Sequence, residues 1–295
     1  MAIYEFETFD VFSDQKFAGN QLAVIMDARG LSLGDMQSIT REFNYAESTF
    51  VLPPEDPKNA ARVRIFTQGY EMAFAGHPTV GTAVAIARAR RLSGELRLEL
   101  NAGVFPVKVD LEGAAPFAEF LNPNIPSEKG AAPDAAAIEA ALSLPQGSVD
   151  RGAHRPRLIG APTTFAFARA PLDAVRKARL NSSAFEALSL QQTVGVLIYA
   201  EGGEARDATF HVRMFAPDAG VVEDPATGSA AASLPGQISR AQKLTDGTHR
   251  WVLEQGFEIG RPSRIFVNFE TSGGAVKAVR VGGNAVPVMQ GQLDF

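Results

Sequence analysis

Two heptapeptides carry the residue types best suited to chemistry. His77-Pro-Thr-Val-Gly-Thr-Ala83 aligns without a gap on Asp224-Pro-Ala-Thr-Gly-Ser-Ala230. Each reads as the start of a helix, with a polar residue at N-cap, proline at N1 and glycine one turn in. Free amides and the positive end of the helix dipole make such a start an anion site, and glycine lets a ligand approach the backbone. Two such starts facing one another would converge on one cleft and grip a small carboxylate. A structural duty stays open for several of these residues: Asp224 is a favoured N-cap in its own right, and Gly228 and Ser229 also suit close helix packing. Histidine is not a favoured N-cap, so His77 reads as functional. Glu47, in Tyr45-Ala-Glu-Ser-Thr-Phe50, is the third candidate. A carboxyl at a strand's entrance is usually solvated. One desolvated by Tyr45 and Phe50 would hold its proton towards neutrality, the condition for general acid–base work.

The elements that must position these residues are legible from periodicity. Strands are predicted from Ile3 onward, at Leu22 to Ile25, at Ser48 to Leu52 and at Val63 to Phe66. An amphipathic helix is predicted over Leu33 to Phe43, with Met36, Ile39 and Phe43 on one stripe. Thr79 to Arg91 reads as a helix that is apolar on every face at its start, hence buried among strands. A hairpin is predicted around Asn101-Ala-Gly103. The turn-rich stretch Asn122 to Gly130 marks a domain boundary, and Asp134 to Leu142 reads as a capped helix. Gly273-Gly274 and Gly282-Gly283 are both read as hairpin turns in a β-rich tail. Val63-Arg-Ile-Phe66 aligns on Val212-Arg-Met-Phe215 upstream of the heptapeptides, so one strand–loop–buried-helix unit occurs twice. Two occurrences this far apart mean two pseudo-equivalent domains: 1–121 with its helix start at His77, and 122–279 with its helix start at Asp224. A C-terminal strand at about 280–295 is assigned to pack on the first.

Composition narrows the chemistry. The chain has 295 residues, no cysteine, four histidines and a net charge of −5. Disulfides, thiolate catalysis, iron–sulfur clusters and cysteine-bound zinc are excluded. Mild acidity argues against nucleic acid or an anionic membrane as partner. The histidines lack ligand-like spacing, so no metal site is expected. No apolar run approaches the ~18 residues of a membrane span, and the opening residues lack the basic and apolar regions of a secretory signal. The expectation is a soluble, cytoplasmic protein.

At these residues the chain resembles the PhzF family of phenazine-biosynthesis-like isomerases. The likeness runs through Asp10 to Asn20, Ala46-Glu-Ser-Thr-Phe-Val51, Arg64-Ile-Phe-Thr67, Phe74 to Ala83, Glu223 to Ala231, Gln255 to Ser263 and Val281 to Val286. The resemblance implies an α+β fold of the diaminopimelate-epimerase-like kind: two pseudo-symmetric halves, each a mixed β-barrel-like sheet wrapped around a central helix, with the active site between them. Epimerases of this fold use a cysteine at each helix start, which the PhzF branch and this chain lack. The family's pattern implies that Glu47 shuttles a proton between carbons, while His77 and Asp224 line the same cleft. It further implies that Gly228 and Ser229, with Asn20 and Gly76, contact the substrate carboxylate. No cofactor and a homodimer are implied. One departure is Pro235, which should kink the second central helix or stop it early. The expected function is a cofactor-independent isomerase of a small carboxylate. Two alternatives stand beside it, a racemase or epimerase of an amino or hydroxy acid and a non-catalytic carboxylate-binding or interaction protein.

Overall fold

The computed structural model describes residues 2–190 and 193–294. The chain divides into two compact units, Met1–Leu121 with Gly282–Phe295, and Asn122–Val281. The first unit contains β1 (Ile3–Val11), β2 (Asn20–Ile25), α1 (Leu33–Phe43), β3 (Glu47–Leu52), β4 (Ala61–Thr67), β5 (Glu71–Met72), α2 (Gly76–Arg90), β6 (Gly94–Leu100), β7 (Gly103–Asp110) and β8 (Phe117–Asn122). The second contains β9 (Ser127–Glu128), α3 (Ala135–Ala141), β10 (Arg157–Gly160), β11 (Thr164–Arg169), α4 (Leu172–Lys177), α5 (Ser182–Glu186), β12 (Val196–Glu201), β13 (Phe210–Ala216), β14 (Val221–Asp224), α6 (Gly228–Ala241), β15 (Gly247–Gln255) and β16 (Ser263–Ser272). A last strand, β17, runs from Ala275 to Asp294.

In the first unit the pairing closes on itself. Antiparallel β1–β2 is followed by parallel β2–β3, antiparallel β3–β4, parallel β4–β6, and antiparallel β6–β7 and β7–β8. β8 then pairs with β17, whose 285–294 part pairs antiparallel with β1. The two parallel steps need crossovers, and the chain supplies α1 and α2 for them. α1 stays outside the barrel. It begins with a capping box, in which Asp35 N–H donates to Ser32 Oγ at 3.2 Å and Ser32 N–H donates to Asp35 Oδ2 at 2.8 Å. Its apolar stripe, Met36 and Ile39, is buried against Ile25, Phe50 and Phe66. α2 is the opposite case. Every residue from Gly76 to Ala87 is buried, and the helix touches β1, β2, β3, β6 and β7. A helix without a polar face has nowhere else to lie.

The second unit repeats the order around α6: β9–β10 and β10–β11 antiparallel, β11–β12 parallel, β12–β13 antiparallel, β13–β15 parallel and β15–β16 antiparallel. The architecture is therefore α+β, with mixed sheets around central helices.

Four expectations about local structure are corrected. Pro235 does not stop the second central helix, because α6 spans 14 residues with Pro235 inside it. The run Ala230–Ile238 is buried throughout, so packing around the helix outweighs the one hydrogen bond that proline forfeits. Gly282-Gly283 is no turn, since β17 continues through it. A Cβ on Gly282 would lie 2.8 Å from the Ala118 carbonyl oxygen, so glycine serves close strand approach there. Gly273 and Gly274, at φ of 61° and 75°, do make the β16–β17 turn. Gly81 serves packing too: a Cβ would stand 2.6 Å from Leu22 and 2.7 Å from Val11. Asp134 occupies the N-cap of α3, but its side chain makes no capping hydrogen bond.

Candidate active site

In the first unit, β3 and α2 bring two of the sequence candidates together. Glu47 opens β3 and pairs in register with Leu22 on β2 and Thr67 on β4. Strand side chains alternate, so Glu47 and Thr49 share one face. Thr49 Oγ1 lies 2.8 Å from Thr82 Oγ1 on α2, which shows that this face looks at the central helix. Phe50 lies on the other face, packed under α1. The expectation that Phe50 desolvates Glu47 is thus corrected by strand parity. Tyr45 lies before the strand, its ring 6.0 Å from that of Phe43. The neighbour of Glu47 is His77, with Nε2 3.4 Å from Glu47 Oε2 and side-chain exposures of 5% and 16%.

That contact is not an ion pair at neutral pH. Burial pushes the His77 imidazolium down to about 3, opposed by a hydrogen bond to the Gln21 backbone. Nε2 makes no hydrogen bond, so Nδ1 carries the proton that Gln21 accepts, and the Nε2 lone pair faces the carboxyl group. A carboxyl oxygen on one side and a ring nitrogen on the other can share one proton. Asn20, the buried first residue of β2, stands next to Gln21 in sequence, and Gly76 opens α2 immediately before His77.

The neutrality of His77 has a measurable consequence. Unfolded, the ring takes a proton near its ordinary 6.5, whereas folded it waits until about 3. The unfolded state therefore binds the extra proton between those values, and stability falls as pH drops through that window, by up to about 1.4 kcal/mol per pH unit. The stability difference between wild type and His77→Gln, measured by urea unfolding, is expected to be flat above pH 7 and to shift steadily in favour of the variant from pH 6 to 4. Parallel curves would contradict the assignment.

In the second unit the expected helix start is displaced. Asp224 closes β14 opposite Met214, and α6 begins four residues later at Gly228, with Thr227 at the N-cap. In the first unit α2 begins at Gly76, so His77 is inside the helix and Ala75 is the N-cap. Neither His77 nor Asp224 caps a helix, and the aligned heptapeptides differ in structure by about one helical turn. The reason is visible in the intervening residues. Thr227 N–H donates to Gln255 Oε1 at 3.0 Å, and the Asp224 carbonyl accepts from Gln255 Nε2 at 2.7 Å. These bonds hold 225–227 in a non-helical bend in place of a helical turn. Thr227 Oγ1 donates to Asp224 Oδ2 at 2.5 Å. Gly228 is buried and Ser229 partly exposed at the start of α6. Neither helix has a side-chain cap, so first-turn amides are left without such a partner.

Each unit also braces this region with an arginine from the repeated Val-Arg-Xaa-Phe strand. Arg64 makes a fork to Glu71 at 2.8 and 2.6 Å, and Arg213 a fork to Glu223 at 2.8 and 2.7 Å. The repeat contained both arginines, but nothing in residue type announced their acids, nor Gln255 or Gln21 as neighbours of the candidates. Among the described residues, no group of three or more His, Asp or Glu is placed to hold a metal ion, and no helix is long and apolar enough to cross a membrane.

A buried carboxyl–imidazole pair beside the start of a central helix can exchange a proton between its two members, and the family match and the relatives' names make the molecule an isomerase. The profile of the phenazine biosynthesis-like proteins matches residues 9–291, and the chain belongs to this family, the PhzF family. It is 40% identical to an uncharacterised isomerase of Mesorhizobium japonicum over 97% of both chains. It is 35% identical to the trans-2,3-dihydro-3-hydroxyanthranilate isomerase of Pseudomonas aeruginosa, over 98% of this chain and 99% of that one. The crystal structure of a PhzF-family phenazine biosynthesis protein from Bacillus anthracis superimposes with a TM-score of 0.90 over 100% of both chains, at 25% identity.

Proposed function

We propose that the protein moves a proton between two carbons of a small unsaturated or cyclic carboxylate, with Glu47 as the group that removes and returns it. The observation that carries this reading is the 3.4 Å approach of Glu47 Oε2 to a neutral, buried His77 Nε2. Glu47 takes the proton from one carbon, and the negative charge left behind spreads over the conjugated system. Delivery of the same proton to another carbon completes the reaction. The net change transfers no electrons and no group other than a proton, so the proposal contains no cofactor. His77 and Asp224 orient the substrate and steady the developing charge. Asn20, Gly76, Gly228 and Ser229 hold the carboxylate, the helix starts contributing amides where charge accumulates.

The likeness to the Pseudomonas enzyme makes trans-2,3-dihydro-3-hydroxyanthranilate the first compound to test. Incubation in D2O, followed by NMR, is expected to show a shifted double bond with one new carbon-bound hydrogen. Retention of substrate protium in part of the product would mark a single shuttling base. Exchange at the α-carbon without net isomerisation would replace the proposal by epimerisation. Binding without turnover or exchange, across a panel of such carboxylates, would overturn it in favour of a non-catalytic module.

A further inference from the structure

Gln255 closes β15, and its side chain is buried at 1% exposure. All the hydrogen bonds described for its amide end on the segment that carries Asp224. Oε1 accepts from Thr227 N–H at 3.0 Å, while Nε2 donates to the Asp224 carbonyl at 2.7 Å and to Thr227 Oγ1 at 3.0 Å. The donors run in one direction, from the amide to the threonine hydroxyl and on to Asp224 Oδ2. An amide has two donors and an acceptor oxygen to spend, and this one spends them on three atoms at the two ends of one short segment, Asp224 and Thr227. Independently, the next residue presses against the same loop. Gly256 has φ 79°, and a Cβ there would lie 2.6 Å from the Pro225 carbonyl oxygen and 2.4 Å from that of Arg261. Only glycine permits both the turn and the approach.

The first unit needs no such clamp. The corresponding strand, β6, ends on Leu100, and α2 itself reaches back to Gly76, with Thr79 N–H bonded to the Ala75 carbonyl at 3.3 Å. The second unit has a non-helical Pro225–Thr227 segment in place of that helical turn. Its backbone groups therefore require a partner, or remain buried and unsatisfied at about 1–3 kcal/mol each. We infer that Gln255, backed by Gly256, is a positioning residue that fixes the place of the Asp224 carboxylate, an inference that rests on the role given to Asp224 above.

Gln255→Leu, Asp224→Asn, their double variant and Thr227→Val, each in the full chain, test it. Circular dichroism selects the folded variants, and Thr227→Val cuts the link on the threonine side if Gln255→Leu does not fold. Expected are faster hydrogen exchange over residues 224–230 in Gln255→Leu, unchanged exchange over α2, and a kcat with trans-2,3-dihydro-3-hydroxyanthranilate lowered by about tenfold at nearly constant KM. The double variant is expected to be no slower than Asp224→Asn alone, since a group acting through Asp224 has nothing left to lose. Unchanged exchange over 224–230 in a folded Gln255→Leu or Thr227→Val protein would overturn the inference, as would losses that multiply in the double variant. If Asp224→Asn alone turns over normally, the role of Asp224 falls, and the exchange measurement still decides whether Gln255 holds the segment.

Discussion

Glu47→Gln is expected to lower turnover by ~10²–10⁴-fold while leaving ligand affinity within a few-fold, the span that one positioned acid–base group contributes. The carboxamide keeps the shape of the carboxyl group at the head of β3 and its place beside His77, so the local packing should survive. What it loses is the capacity to take up a proton and return it. His77 cannot substitute, because burial holds its imidazolium down to about 3 and its Nδ1 hydrogen is committed to Gln21. The measurement is kcat by stopped assay beside Kd by calorimetry for the same compound. A turnover within tenfold of wild type would remove Glu47 from the mechanism. Equal losses in binding and turnover would assign it to grip and not to proton transfer.

The second large effect is on stability. Arg213→Met is expected to cost ~3–5 kcal/mol, the usual consequence of stranding one member of a buried ion pair. Arg213 and Glu223 are exposed by only 6% and 7%. The guanidinium also donates through Nη1 to the carbonyls of Val175, Arg176 and Ala178 at 3.1, 3.1 and 2.8 Å, tying the end of α4 to β13. Removing it leaves the buried Glu223 carboxylate, the residue before Asp224, and three carbonyls to find new partners. Arg64→Met is the internal control. It breaks the matching fork in the first unit, but Arg64 and Glu71 are exposed by 22% and 21%, and Glu71 keeps a bond from Asn101. Water can fill in there, so a loss of about 1 kcal/mol is expected. Urea unfolding of both variants checks the ranking, and equal losses would refute the claim that burial sets the difference.

The local elements were legible because their causes are local. Leu33–Phe43 is helical for reasons contained in its own residues, an apolar stripe and a Ser32–Asp35 capping box. The all-apolar start of α2 announced a buried helix by itself. The doubled strand and heptapeptide announced two related halves and brought His77 and Asp224 forward as candidates, while Glu47 stood out as a carboxyl group at a strand's entrance.

What the tertiary structure decided was which groups meet. Glu47 was placed among Tyr45 and Phe50 by sequence proximity, but strand alternation turns Phe50 towards α1 and Glu47 towards His77, thirty residues away. Aligned letters promised two equivalent helix starts. A glutamine 28 residues beyond Thr227 holds one of them open by about a turn, because it satisfies backbone groups that would otherwise close into helix. Gly282-Gly283 has the letters of a turn, but β8 needs the space of the missing Gly282 side chain. In each case the periodicity of a segment is set by its own residues. The partner it meets is set by register and crossover between segments, which no window along the chain contains.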